Sequence, residues 1–357
     1  IQMKKIFIHI GYHKTATTLL QEHFYSKHSD IGYLGKADKY PVPEICELFH
    51  NLYEDSDTHF SVKDNQKIFQ KALKVMNLKK KKILIFGLSD EGLSGGIDWF
   101  GGMAVSVAER ICKVFDGYDV KILIGLREQR SMMVSFYTEY IKRGGTNSLN
   151  RLLKSPFSNG RFIFDKLEYL TLINEYIKLF SKQNVFIYLY EEIRQDPQSL
   201  IDSITKFLEI SNFKMINNGR SIVNKKPSIL GIMFLKVTNH FFFSPFNNNA
   251  YVLPITPLIG NLGWILLRNK LAIKIYPKLL KIQNWDYYLF EQQLCLKIKT
   301  EIDNLIINLD KRTFAYFPFL KLKISKDLEL ICQKNYKVSN KKLAKFKNKD
   351  LKRYNYL

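Results

Sequence analysis

Two short segments concentrate the residues that could do chemistry. The first reads Ile8-His9-Ile10-Gly11-Tyr12-His13-Lys14-Thr15-Ala16-Thr17-Thr18 and leads from an apolar run into a helical pattern. Small and hydroxylic residues at a strand-to-helix turn leave backbone N–H groups open at a helix N-terminus. Such a turn binds phosphate or sulfate through amide hydrogen bonds and the helix dipole. Lys14 adds a mobile positive charge, and Thr17 and Thr18 add hydroxyl donors. Taken alone, Thr15 or Thr17 would do no more than cap a helix. The second segment, Arg127-Glu128-Gln129-Arg130-Ser131-Met132-Met133-Val134-Ser135-Phe136-Tyr137, follows another apolar run. A guanidinium fork matches a phosphate, and Ser135 stands about two helical turns further on, where its hydroxyl can turn to the same group. Arg127 alone would suit a surface ion pair. The two segments together, each at the end of an apolar run, argue for an anion site.

The first segment is not a Walker A loop. That motif places its lysine after a second glycine, whereas Lys14 follows Gly11 by three residues with no glycine between. A kinase or nucleoside triphosphatase is therefore disfavoured.

The elements that must position these residues are legible as periodicity. Apolar, β-rich runs lie at 5–10, 82–87, 120–126 and 185–190, and helix-length sequence separates them. Strands apolar on both faces and alternating with helices form a buried parallel sheet. Helical patterns cover 17–28, 63–76, 105–115, 130–142 and 168–179, and Asp196-Pro197 caps a further amphipathic helix. To about residue 215 the chain reads as a doubly wound α/β unit. Beyond it the pattern turns helical and Lys-rich; residues 321–357 hold twelve Lys or Arg against three Asp or Glu.

Composition sets the outer limits. The net charge of +22 favours anionic partners, although a bias towards Lys, Asn and Ile would raise it without any binding role. Cys46, Cys112, Cys295 and Cys332 lie far apart with no CxxC pair, which disfavours a structural zinc site or a disulfide framework and suits a reducing compartment. The residues before the first strand do not read as a signal peptide, and no uninterrupted apolar stretch is long enough to span a bilayer. The uncharged segment 237–267, broken by Pro245, Pro254 and Pro257, reads as buried or lying at an interface. Basic residues from Arg268 to Lys281 follow it, a pairing that suits an acidic membrane surface as well as a core or cleft wall.

The first segment resembles the 5′-phosphosulfate loop of sulfotransferases that use 3′-phosphoadenylyl sulfate (PAPS), which commonly reads Lys-Thr-Gly-Thr-Thr. Lys14, Thr15, Thr17 and Thr18 match, and Ala16 replaces the usual glycine. The second segment is similar to the family's 3′-phosphate motif, with Arg127, Ser135 and Tyr137 in register and Gln129 where proline is frequent. Tyr190-Glu191-Glu192-Ile193, Asp196-Pro197 and Phe207-Leu208-Glu209-Ile210 resemble the family's later strand, acidic turn and helix. The tail, Val338 to Ala344 with Asp350-Leu351 and Tyr354, resembles bacterial members.

This resemblance implies a P-loop-like three-layer α/β domain, with a mostly parallel central sheet flanked by helices and helical C-terminal additions. It implies a PAPS-binding core at 1–215, a helical acceptor-side or membrane-proximal region at 216–320, and a basic C-terminal segment packing on the core at 321–357. His13, Lys14, Thr15, Ala16, Thr17, Thr18, Arg127 and Ser135 would bind the donor, leaving adenosine 3′,5′-bisphosphate as product, with no metal. Sulfuryl transfer needs a base for the acceptor hydroxyl and positive charge on the leaving oxygens. Lys14 supplies the charge. Glu91, after the second apolar run, is the preferred base, ahead of Asp90 and His13, although a glutamate there could equally cap the next helix. The implied acceptor is a carbohydrate or glycolipid, with no nucleic-acid partner. The implied location is cytoplasmic, with a peripheral contact to the acidic inner face of a membrane. A nucleotide kinase-like enzyme and a non-enzymatic basic protein that binds membranes or polyanions stand as alternatives.

Overall fold

A computed structural model describes residues 3–35, 42–80, 82–94, 104–154, 166–215, 227–242, 244, 246–247, 297, 299–310, 322–347 and 351–356. Its centre is a parallel sheet of five strands: β1 (Lys5–Gly11), β2 (Ile31–Gly35), β3 (Ile85–Ser89), β4 (Asp119–Leu126) and β5 (Val185–Leu189). They lie in the order β2-β3-β1-β4-β5, and every neighbouring pair is parallel. The four apolar runs become four of these strands. β3 is displaced towards its C-terminus, starting at Ile85 rather than 82 and reaching Ser89.

β2 is the element that periodicity does not reveal. Its sequence, Ile-Gly-Tyr-Leu-Gly, carries two glycines and pairs only with β3. Glycine weakens a strand interior, so this edge exists because β3 offers it a partner. The first helix also differs from its pattern: Thr17–Leu20 is α-helical, and Gln21–Tyr25 continues as a π-turn that ends short of His28.

The remaining helices follow their sequence signals. Ser61 caps Val62–Lys79, Glu168 caps Tyr169–Phe180, and Asp196 with Pro197 starts Pro197–Leu208, each side chain accepting from a backbone N–H three residues on. The apolar face of Pro197–Leu208, namely Leu200, Ile201, Ile204 and Leu208, joins Phe7, Phe24, Tyr25, Leu123 and Tyr188 in one buried cluster. Burying each such side chain stabilises by about 1.5–3 kcal/mol, which fixes this helix against the sheet.

The chain divides into two compact units. The first comprises Ile1–Met133, Leu153–Val223 and Ser325–Leu357 and holds the whole sheet. Within it the C-terminal helix Lys326–Lys347 meets the helix Tyr169–Phe180, and Asn340 and Gln129 exchange amide hydrogen bonds. The second unit comprises Val134–Leu152 and Asn224–Ile324. In it, the buried Asn239 amide donates to the carbonyls of Ile141 and Gly145 at 2.7 and 2.8 Å. Most of 216–320, and with it 248–267 of the apolar segment and the basic residues that follow, lies outside the described residues.

Candidate functional site

β1 lies between β3 and β4, so its C-terminal end opens where the chain passes to either side of the sheet. In open α/β sheets that crevice is where ligands bind. The loop Gly11–Ala16 fills it. A Cβ on Gly11 would collide with Thr17 Cγ2 and crowd Thr15 Oγ1, so glycine permits the chain to fold back tightly here. The Tyr12 N–H donates to the Gly125 carbonyl at 3.1 Å and ties the loop to β4.

Lys14 and Ala16 have φ of 67° and 66°, whereas Thr15 between them does not have positive φ. Alternation of left-handed and ordinary backbone turns successive N–H groups to one concave side, an anion-binding nest. Ala16 is also the N-cap of the helix Thr17–Leu20, and its carbonyl accepts from the N–H groups of Leu19 and Leu20. The glycine common at this position in the resembling loops would meet no penalty here; alanine accepts one.

Lys14 and Thr18 are exposed, and Thr15 and Thr17 are buried. The Thr15 hydroxyl donates to the Tyr12 carbonyl at 2.6 Å, so its side chain shapes the turn rather than facing out of it. The Thr17 hydroxyl donates to Glu91, whose other carboxylate oxygen lies 3.8 Å from His13 Nδ1. Glu91 opens a single 3₁₀ turn, Glu91–Ser94, directly after β3. Asp90, the second candidate base, caps that turn instead: its Oδ1 accepts from the Gly92 N–H at 2.7 Å. Of the three candidate bases, Glu91 and His13 thus stand beside the loop, and Asp90 holds the backbone that carries Glu91.

Arg127 directly follows β4 and is buried. Its Nη1 donates to the Lys14 carbonyl at 3.2 Å and its Nε to Ser131 Oγ at 2.9 Å, and its Cζ sits 4.3 Å from the centre of the Tyr190 ring. Burial draws its pKa down, yet a guanidinium stays charged under any physiological condition. Glu128 accepts from the N–H groups of Arg130 and Ser131 and so caps the helix Gln129–Lys142. The Glu128 N–H donates to Glu191 at 3.1 Å, and Tyr356 in the C-terminal tail donates to the same carboxylate at 3.3 Å. Desolvation raises the pKa of Glu191.

Lys14, Thr17, Glu91, His13 and Arg127 are therefore gathered in the first unit. Ser135 is buried on the same helix, in its part assigned to the second unit, where Tyr137 donates to the Asn147 carbonyl at 3.3 Å. Sequence reasoning gives no role to His9, Gln21, Ser89 or Tyr188, and takes Tyr190 only as part of the segment that resembles the family's later strand. The signal for His9 is present: it is the one polar residue in the run Ile6–Ile10, which is otherwise apolar. Among the described residues, no group of His, Cys, Asp and Glu could hold a metal ion, and no helix is long and apolar enough to cross a membrane.

Residues 108–227 match the family described as the sulfotransferase domain. That stretch includes Arg127, Ser135 and the Tyr190-Glu191 turn, and begins after the loop and Glu91. No curated protein matches the sequence. Similar solved structures include a sulfotransferase from Alicyclobacillus acidocaldarius, with 17% identity over 67% of this chain and 93% of that one, at a TM-score of 0.44. A sulfotransferase domain from the curacin biosynthetic pathway shares 14% identity over 60% of this chain and 76% of that one, at a TM-score of 0.37. Mouse sulfotransferase SULT7A1, complexed with PAP, shares 15% identity over 68% of this chain and 66% of that one, at a TM-score of 0.33. The family match falls on the arginine-bearing segment and helix beside the anion-binding loop, and over that stretch the chain is similar to a sulfotransferase domain.

Proposed function

We propose that this protein transfers a sulfuryl group from PAPS to a hydroxyl of a carbohydrate acceptor, a surface polysaccharide or glycolipid. The observation that carries the reading is the contact between Arg127 and the Lys14 carbonyl, which joins an anion-binding nest to a buried guanidinium. Two anion-binding features side by side suit a donor with phosphate on both its 3′ and 5′ positions.

In this reading the nest N–H groups and Lys14 hold the 5′ phosphosulfate, and Lys14 neutralises charge on the oxygen that leaves with the phosphate. Arg127, with Ser135, holds the 3′-phosphate. Glu91 takes the proton from the acceptor hydroxyl as that oxygen bonds to sulfur and the sulfur–oxygen bond to the 5′-phosphate breaks. The Thr17 hydroxyl and His13 keep the Glu91 carboxylate directed at the loop. Loss of the Glu91–Thr17 bond on donor binding would hand that hydroxyl to the donor.

The experiment is calorimetric titration with adenosine 3′,5′-bisphosphate and with adenosine 5′-monophosphate, followed by a sulfuryl-transfer assay on glycan acceptors. Tight binding that needs the 3′-phosphate supports the reading, and equal affinity for the two nucleotides overturns it. A nucleotide kinase has no support from a loop whose lysine lies inside the turn, with no second glycine before it.

The acceptor region also supports a peripheral membrane contact at the cytoplasmic face. On the helix Ile229–Asn239 and just after it, Met233, Phe234, Val237 and Phe241 are all exposed. Exposed apolar side chains in a chain of net charge +22 suit an acidic lipid surface. Co-sedimentation with anionic vesicles should rise with anionic lipid and fall with salt; protein left in the supernatant at low salt removes this part of the proposal.

A further inference from the structure

Behind the loop runs a chain of buried polar groups drawn from four separate segments. His9, in the middle of β1, is fully buried; its Nδ1 lies 2.8 Å from Ser89 Oγ at the end of β3 and its Nε2 lies 2.8 Å from the Tyr188 hydroxyl on β5. The Gln21 amide donates to Ser89 Oγ at 2.9 Å. The Tyr188 hydroxyl donates in turn to the Thr15 carbonyl at 3.4 Å. β4 separates β1 from β5, and it lets Tyr188 across because Gly125 has no side chain: a Cβ there would collide with the phenol.

The bond from Tyr188 to Thr15 sets the direction of the others. A phenol has one hydrogen, and Tyr188 gives it to Thr15, so Tyr188 must accept from His9. That places the imidazole hydrogen on Nε2, and Nδ1 then accepts from the Ser89 hydroxyl. Ser89 Oγ is left to accept from Gln21. Each member is satisfied in this sense, from Gln21 through Ser89, His9 and Tyr188 to the loop.

We infer that His9 is a positioning residue, an imidazole that orients the anion-binding loop through Tyr188. The peptide bonds here are trans, so with the Thr15 carbonyl turned inward to Tyr188, the Ala16 N–H points the opposite way, towards the concave side of the nest. Arg127 does the same for the next peptide back, since its hold on the Lys14 carbonyl directs the Thr15 N–H outward. The two inward carbonyls thus prepare two outward donors before any ligand arrives. Complete burial suits a group used this way: desolvation lowers the His9 pKa to about 3, so the ring keeps a single hydrogen and a single direction.

The role assigned to His9 rests on the reading of the loop as the 5′-phosphate site, but its effect on loop geometry can be measured without a nucleotide. Lys14 is exposed, so the rate of tryptic cleavage after it reports how firmly the loop is held. Tyr188→Phe, which keeps the ring and removes the hydroxyl, should raise that rate several-fold, as should His9→Phe. His9→Gln, whose amide can still donate to Tyr188, should return it towards wild type. With nucleotides, Tyr188→Phe should bind adenosine 3′,5′-bisphosphate about 10-fold more weakly, the scale of one modest hydrogen bond. Its affinity for adenosine 3′-monophosphate, which lacks the 5′-phosphate, should stay within a factor of two of wild type.

Should His9→Phe fail to fold, Tyr188→Phe and His9→Gln carry the test. An unchanged cleavage rate in Tyr188→Phe overturns the inference, and so does equal weakening for both nucleotides. A wild-type protein that binds neither nucleotide defeats the proposed function, while faster cleavage in Tyr188→Phe with rescue in His9→Gln still upholds the positioning role.

Discussion

Arg127 donates through Nη1 to the backbone carbonyl of Lys14, 3.2 Å away, so the arginine just after β4 holds the loop that follows β1. A single guanidinium couples two segments 113 residues apart, and removing it acts on both. Arg127→Ala should weaken binding of adenosine 3′,5′-bisphosphate by on the order of 10- to 100-fold, since a charge-assisted hydrogen bond contributes about 1.5–3 kcal/mol. Arg127→Lys should recover little, because an ammonium can neither stack on Tyr190 as a plane nor reach Ser131 and Lys14 together. The discriminating ligand is a nucleotide without the 3′-phosphate, which should lose far less. If Arg127→Ala prefers the 3′-phosphorylated form as strongly as wild type, the arginine does not hold that phosphate. Ser135→Ala should show the same preference change, smaller in size.

Lys14→Ala should lower turnover by roughly 10²–10³, the scale of one preorganised charge on a developing oxyanion. Lys14 is exposed, so thermal unfolding should barely change. Normal turnover in the variant would remove Lys14 from the mechanism.

Ala16→Gly should stabilise the protein. Alanine at φ 66° carries a left-handed penalty of roughly 1–2 kcal/mol, which glycine escapes. The greater freedom of glycine in the unfolded chain takes back about 0.4–1 kcal/mol. A net gain of about 1 kcal/mol would raise Tm by about 2–4 °C on the scale of a domain of this size. Differential scanning calorimetry decides it, and a lower Tm would mean that Cβ contacts of Ala16 outweigh its backbone strain.

Glu91→Gln should keep donor affinity and lose chemistry, because the amide nearly matches the carboxylate in shape but cannot take a proton. Removal of a general base lowers rate by about 10²–10⁴. Comparable activity in variant and wild type would pass the role to His13, since Asp90 is engaged with the Gly92 N–H.

Acid stability should depend on Glu209. Hydrogen bonds from Lys121 and Lys5 pull its carboxyl down from 4.5 to about 2. A folded-state pKa lowered in this way gives stability that is complete above about 4.5 and lost as pH falls from there through about 2. The side chain is 59% exposed, so solvent screening keeps the contribution near the ordinary surface-pair value of about 1 kcal/mol or less. Urea unfolding at neutral pH and again near pH 3 should show wild type losing more stability than Glu209→Gln across that interval. Parallel losses would show that the two lysines do not stabilise the native state through Glu209.

The parts of this site that the sequence determines by itself are those whose meaning is local. A hydroxylic turn after an apolar run, a lysine inside it, and an arginine closing another such run depend on neighbours a few residues away. Their chemistry survives whatever the rest of the chain does. The same holds for Asp196-Pro197, where one side chain and one fixed φ start a helix.

Tertiary structure decided what depends on distant partners. β2, with two glycines in five residues, has no strand signal of its own and forms because β3 leaves an edge to pair with. Glu91 and Asp90 are adjacent acids that no local pattern separates; the turn after β3 commits one to the backbone and turns the other to Thr17. His9, Ser89 and Tyr188 are separated by 80 and 179 residues in sequence, and only the strand order and register bring them to 2.8 Å. Periodicity reports which face of a strand is buried; it carries no information about which strand lies beside it, and the buried polar chain behind the loop is made entirely of that information.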